Sequence, residues 1–392
     1  MSAPDEGSSF AARVVVWQGA HGRHDLPWQA SRDPYRVWLS EVMLQQTQVV
    51  TVVPYFTRFF CRFPDVAALA AAPLADVLAL WAGLGYYARA RNLHACAKQV
   101  VERFEGRFPL DVRHLARLPG IGRSTAAAIA AFCAGAREPI LDGNVKRLLA
   151  RHFAIEGDPA TVSVERVLWA RAASLLPASA DMPAYTQGLM DLGATVCTRR
   201  APRCDACPLA GTCAAKAADR VGEFPAVRVR RPLSSRRFWA LLALHSGHVL
   251  LQRRAPAGVW GGLYALPQFE SAAALRRAAA AIEARPRLQV LPSRRHAFTH
   301  FNLTLMPRRL DVRSPLPRLR EDDLVWLPLK DIETAPLPAP ILALLREAAQ
   351  AGEGQTAIGP SAGRGPARLP ERRQASASGS TPSATRKRDT ML

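Results

Sequence analysis

The chain has 392 residues, 49% of them hydrophobic, and 52 Lys and Arg against 32 Asp and Glu give a formal net charge of +20. That length predicts roughly two or three domains with real cores, and no apolar run reaches the ~20 residues that cross a bilayer, so a membrane protein is excluded and a cytoplasmic monomer is expected. So large a positive excess draws a chain toward polyanions, nucleic acid first, although alanine- and arginine-heavy coding contributes to the count.

Residues 10–215 read as helices almost throughout. Apolar positions recur at helical spacing over 35–50, 66–79, 88–104, 124–134 and 145–153, with Pro and Gly at the joints. Residues 216–236 are basic, contain two prolines and show no period, so they read as a linker. Beyond it, 238–244 and 248–252 read as strands around Ser246-Gly247, and 298–306 alternates like a half-buried strand. With helices expected over 272–284 and 339–349, residues 237–350 form an α+β domain. From Ala351 the Gly-, Ser-, Pro- and Arg-rich composition predicts a disordered basic tail, 351–392. Its seven Lys/Arg against three Asp/Glu leave most of the positive charge on the folded part.

Several clusters carry chemistry. Cys197, Cys204, Cys207 and Cys213 follow C-x6-C-x2-C-x5-C, and the nearest other cysteine is Cys133. Four thiolates suit a tetrahedral zinc or an iron–sulfur cluster, and spacing leaves both open. Disulfides would require secretion, yet the first ten residues lack a basic stretch leading into an apolar one. Cys61, Cys96 and Cys133 lie in apolar helical segments and are expected to be small buried hydrophobes.

Leu118-Pro119-Gly120-Ile121-Gly122-Arg123-Ser124-Thr125 allows a tight hairpin between two helices. Gly120 and Gly122 project nothing, so amide groups at the start of the second helix can approach a phosphate. Asp142, in Ile140-Leu141-Asp142-Gly143-Asn144, stands where an N-cap is expected. Glu41 is flanked by large apolar residues on a helix whose same side carries Trp38, Gln45 and Gln48. Gly83-Leu84-Gly85-Tyr86-Tyr87 puts bulky side chains on a glycine-flexible loop, as a wedge into a base stack requires, with Tyr87 as core. Residues 271–284 hold one Glu, too few carboxylates for a set of Mg2+ ions.

SEVMLQQTQV at 40–49, WAGLGYYARARNL at 81–93, LPGIGRST at 118–125, ILDGNVKR at 140–147, the four-cysteine loop and WGGLYALPQF at 260–269 occur in one order. Together, over about residues 26–301, they resemble the MutY-type adenine DNA glycosylases of the endonuclease III superfamily. The resemblance implies a multidomain fold: an all-α helix–hairpin–helix glycosylase core at 10–215 (hairpin 111–134) with a [4Fe–4S] loop at 197–213, and a C-terminal α+β Nudix-like domain. It implies an enzyme that removes adenine mispaired with 8-oxoguanine or guanine from double-stranded DNA. By the same resemblance Glu41 protonates adenine at N7, Asp142 stabilises the cation at C1′, and Asn144 and Ser124 complete the pocket. Tyr86 stacks into the duplex with Leu84 and Gln46 close by, and Gln187 contacts adenine. Thr299 and His300 read 8-oxoguanine from a loop where the family pattern has Ser in place of Thr299.

The chemistry of the bond supports this division of labour: a departing base needs a proton and an oxocarbenium-like sugar needs an anion. Desolvation keeps Glu41 protonated, while amide groups keep Asp142 ionised. A bifunctional pyrimidine glycosylase/lyase and a non-enzymatic iron–sulfur DNA-binding protein are the alternatives. The C-terminal domain opposes the first, the retained Glu41–Asp142 pair the second, and Ser124 cannot form the imine a lyase needs. Lys146, several residues into the next helix, is expected to face phosphate.

Overall fold

The computed structural model describes residues 6–226, 232–256, 258–313 and 323–356. Helix α1 (Glu6–His21) leads into α2 (Pro34–Leu44), α3 (Val49–Arg62), α4 (Val66–Ala71), α5 (Leu74–Trp81) and α6 (Ala88–Phe104). The expected helix at 35–50 is interrupted: α2 stops at Leu44, and Gln46 adopts φ +59° before α3 begins. Consequently Gln48 leaves the face that carries Glu41. The expected helix at 66–79 is likewise two, because Pro73 cannot donate to a continuing helix and instead precedes the first turn of α5.

A short α7 (Val112–Leu115) and α8 (Arg123–Ala134) form the glycine hairpin, followed by α9 (Gly143–His152), α10 (Val162–Ser174), α11 (Met182–Asp191) and α12 (Ala214–Ala217). These helices pack around two apolar clusters. Helices α2–α6 surround one, while α1, α9, α10, α11 and the cysteine loop surround the other. Helix α8 serves both: Ala126, Ile129 and Ala130 face the first cluster, and Ala127, Ala128 and Ala131 the second. Alanine permits this two-sided burial because the backbone can approach both lobes closely. The cleft between the lobes therefore opens where α8 begins.

In the C-terminal region, β1 (Ser234–His245), β2 (His248–Arg253), β3 (Tyr264–Ala265) and β4 (Gln268–Phe269) precede α13 (Ala272–Ile282). Then come β5 (Leu288–Val290), β6 (Arg294–Ala297), β7 (Phe301–Asp311), β8 (Leu324–Pro328) and α14 (Ala339–Thr356). The mixed sheet runs β3-β2-β1-β7-β5, with β4 on β1, β6 on β7 and β8 on β2. Strands β1 and β7 are parallel from Ser234↔Phe301 to Leu244↔Asp311. Alternation along β1 sends Ala240 and Leu242 toward the main cluster and Leu241 and Ala243 toward α13. That main cluster continues without a break from the helices into the sheet. At the seam, a Cβ on Gly262 would lie 3.3 Å from Leu78, Arg91 Nη1 donates to Gly261 O at 2.9 Å, and Tyr87 Oη donates to Leu337 O at 3.4 Å.

The start of the expected linker is folded: Phe224 is buried and its carbonyl accepts from Arg151 Nε at 2.9 Å. Residues 227–231 of the expected linker and 357–392 of the expected tail lie outside the described residues, and the linker's last residues, 234–236, already belong to β1. Helix α14 runs to Thr356, past the expected end at 349. Cys96 is buried, but Cys61 is exposed and Cys133 is half-buried. Apolar neighbours in sequence did not put Cys61 on the inner face of α3. No described helix is long and apolar enough to cross a membrane.

Candidate active site

Glu41 enters the cleft from the third turn of α2, and Asp142 enters from the start of α9 in the other lobe. The Glu41 carboxyl is pushed up to about 8, chiefly by burial and secondarily by the negative charge of Asp142. Asp142 caps α9: its Oδ1 accepts from the amides of Asn144 at 2.9 Å and Val145 at 2.8 Å. The N-cap role and the cleft position thus coincide in one side chain. Its pKa nevertheless lies above the ordinary value, because burial outweighs those amide bonds and the nearby Arg147 cation. The expectation that amides alone would hold it low is corrected in sign. The two amides favour the charged form of Asp142, whereas no hydrogen bond does the same for Glu41.

Ser124 and Asn144 stand beside this pair. Ser124 Oγ, at the first turn of α8, accepts from Leu141 N at 3.0 Å and so ties the hairpin helix to the residue before Asp142. Asn144 gives its backbone amide to Asp142, and its side-chain Oδ1 accepts from Arg147 Nη2 at 2.9 Å. Arg147 also donates to Gly193 O at 2.6 Å and, through Nε, to Cys197 O at 2.8 Å. Gly193 is obligatory here, because a Cβ would stand 2.5 Å from Asn144 Cβ. Gln187 is oriented by Asp191, whose Oδ1 accepts from its Nε2 at 2.8 Å. Asp191 is 1% exposed and also accepts from Arg23 N at 2.9 Å and Nε at 2.7 Å. Sequence reading missed Arg147, Asp191, Gly193 and Arg23. A lone acid and a glycine inside the apolar run LMDLGA were the available signal.

Tyr86 is 48% exposed at φ +49°, and Gln46 is exposed in its own left-handed turn. Leu84, by contrast, is 5% exposed within the main apolar cluster, so it supports the loop from beneath rather than projecting from it. At the hairpin, Gly120 has φ +78°, and a Cβ there would lie 2.8 Å from Asn92 Cβ. Gly122 is the N-cap of α8 and supplies no side-chain acceptor, which leaves amides of the first turn available to an anion. Lys146, expected to face phosphate, pairs through its Nζ with Glu165 Oε1 at 2.7 Å.

The four cysteines line one cavity with Leu148, Val196, Leu209 and Val221. Arg151, 3% exposed, donates to Cys197 Sγ at 3.3 Å and to Thr198 O at 2.7 Å. Four thiols, apolar walls and a buried cation form a donor set that fits an anionic thiolate-bound cluster. Among the described residues, no three His, Cys, Asp or Glu side chains are arranged around a single ion position. Arg199, Arg200 and Arg203 lie exposed on the same loop.

In the C-terminal domain, Thr299 and His300 are the exposed tip of the β6–β7 hairpin, closed by Phe298 N donating to Phe301 O at 2.9 Å. The tip rests on packed aromatics: Phe298 stacks on Phe301 at 4.7 Å, meets His296 edge to face at 4.6 Å and lies tilted to Trp260 at 5.9 Å. Helix α13 contains no carboxylate, and Glu283 at its C-cap accepts from Arg313 N at 3.0 Å.

A paired-carboxylate cleft at a helix–hairpin–helix, a thiolate loop and an appended Nudix-like sheet define a two-domain DNA glycosylase. Residues 39–173 match the HhH-GPD superfamily of base excision DNA repair proteins, and residues 238–347 match the NUDIX domain. The adenine DNA glycosylase of Buchnera aphidicola subsp. Baizongia pistaciae is 32% identical over 341 residues, 86% of this chain and 95% of that protein. The one from Homo sapiens is 42% identical over 220 residues, 54% of this chain and 40% of that protein. A solved thermostable thymine-DNA glycosylase covers 54% of this chain and 97% of its own, at 26% identity and TM-score 0.49. The chain belongs to the adenine DNA glycosylase family.

Proposed function

We infer that this adenine DNA glycosylase of base excision repair is monofunctional and acts on adenine opposite 8-oxoguanine or guanine. The observation that carries the mechanism is the pairing of two unlike carboxylates, Glu41 pushed up to about 8 chiefly by burial and Asp142 held by two amides at the start of α9. In this reading Glu41 carries the proton and Asp142, whose charged form the amides favour, carries the charge. An adenine extruded from the duplex receives the Glu41 proton at N7, so the electrons of the C1′–N9 bond leave with a neutral base. Asp142 stabilises the cation left at C1′, water adds there, and the water's proton goes to the carboxylate that Glu41 has become. The product is an intact strand with an abasic site.

The other residues serve this step. Tyr86 enters the stack vacated by adenine, Gln46 lies beside it, and Leu84 backs the loop. Gln187 contacts the base, Asn144 and Ser124 fix the pocket, and amides at Gly120 and Gly122 hold phosphate. Thr299 and His300 read the opposite base. Lys146 is engaged by Glu165 and Ser124 is a hydroxyl, so no amine is offered to C1′ and the strand is not cut. Cys197, Cys204, Cys207 and Cys213 would hold a [4Fe–4S] cluster, which when bound supplies iron–thiolate bonds that close the 197–213 loop. Functionally the chain divides into the core at 10–215, the connector at 216–236, the lesion-reading domain at 237–350 and the tail. A glycosylase assay on duplexes carrying adenine opposite 8-oxoguanine, guanine or thymine tests this reading. Excision is expected for the first two, and equal excision opposite all three would refute it.

A further inference from the structure

Two exposed residues near the cleft, Gln46 and Tyr86, occupy left-handed backbone conformations without being glycine. Such conformations are strained for a residue with a Cβ and persist only where the surroundings over-determine them. One side chain does so for both. Arg89, in the first turn of α6, is 8% exposed. Its Nη1 donates to Val42 O at 3.1 Å and Met43 O at 2.6 Å, carbonyls in the last turn of the helix that carries Glu41. Its Nη2 donates to Thr47 Oγ1 at 3.0 Å in the Gln46 turn, and to Leu84 O and Gly85 O, both at 3.3 Å, in the Tyr86 loop. The guanidinium carbon lies 5.5 Å from the Tyr86 ring and 5.3 Å from that of Trp81.

Every hydrogen-bond partner of this buried cation is neutral. Burial lowers its pKa to about 10, and its Nε finds no partner among the described residues. An apolar side chain of similar volume would leave these carbonyls without their buried donor. Nor could it bind three segments in the fixed plane of one fork. A shift of the Tyr86 loop is therefore coupled to the last turn of α2, where the Val42 carbonyl lies one residue beyond Glu41.

We propose that Arg89 is a positioning residue that makes proton delivery by Glu41 depend on the seating of the Tyr86 loop in the duplex. This rests on the reading above, in which Glu41 is the acid and Tyr86 the wedge.

A double-mutant cycle tests it. Single-turnover excision and duplex affinity are measured for the wild type, Arg89→Lys, Tyr86→Ala and the double variant, on a duplex carrying adenine opposite 8-oxoguanine. Lysine keeps the charge but not the fork. Arg89→Lys should slow excision at saturating enzyme by on the order of 10- to 100-fold while leaving affinity within about threefold, and should cost less than about threefold in the Tyr86→Ala background. Equal loss in both backgrounds would overturn the proposal and leave Arg89 a purely structural residue. Loss confined to affinity would also overturn it. If Arg89→Lys does not fold, Thr47→Val, which removes only the Oγ1 bond, must show the same non-additivity with Tyr86→Ala at smaller amplitude. A wild type that releases no adenine would instead refute the glycosylase reading itself, so the two failures are distinct.

Discussion

Replacing Glu41 by Gln separates the electrostatic cost of the site from its chemistry. Folded Glu41 keeps its proton up to about pH 8, whereas an unfolded glutamate loses it near 4.5. Between those values the native state binds more protons than the unfolded one, so this group makes stability fall as pH rises. The displacement corresponds to up to roughly 5 kcal/mol at ~1.36 kcal/mol per pH unit. Gln has the same shape and no proton to lose. Glu41→Gln should therefore match the wild type in stability at pH 4 and exceed it increasingly up to pH 9, by several kcal/mol at most, as read from urea midpoints across that range. Its single-turnover excision should be slower by about 10²–10⁴, with duplex affinity nearly retained. Wild-type excision should decline above about pH 8, as Glu41 loses its proton. Parallel stability curves for the two proteins, or excision by the variant at a near-normal rate, would refute the assignment.

Asp142→Asn should also abolish excision with little change in fold, because Asn caps α9 as well as Asp does; circular dichroism beside the kinetic assay checks both halves. Anaerobically purified protein should be brown with about four irons per chain, and Cys204→Ser should lower iron content, thermal stability and duplex affinity together, whereas one zinc and no iron would refute the cluster. Thr299→Ala and His300→Ala should leave excision opposite guanine within about threefold while eroding the preference for 8-oxoguanine, measured by paired single-turnover assays. Wild-type protein should give little covalent complex with DNA under borohydride, and Ser124→Lys should gain measurable strand nicking in a gel assay.

Where periodicity is long and bounded by clear signals, as in Ala88–Phe104, the sequence specified the helix to the residue. The break at Gln45–Gln48 and the burial of Leu84 were less legible for a shared reason. No Pro or Gly marks the Gln46 turn; it is held by an arginine that arrives from a later helix. The carboxylate pair was readable because apolar flanks and an N-cap position are local features. The sign of the Asp142 displacement was not, because it depends on how far two lobes bury the group. Lys146 shows the same limit, since Glu165 comes from α10. Nor could spacing show that the connector folds back onto Arg151 through Phe224.

Helix α8 belongs to both halves of the helical core at once. The jaws of this cleft consequently share a spine, and the alanines on it act as shims of minimum thickness. Ala127 and Ala130 are both buried, so valine at either would press extra methyls into the packing of one lobe, on the helix whose Ser124 is tied to the residue before Asp142.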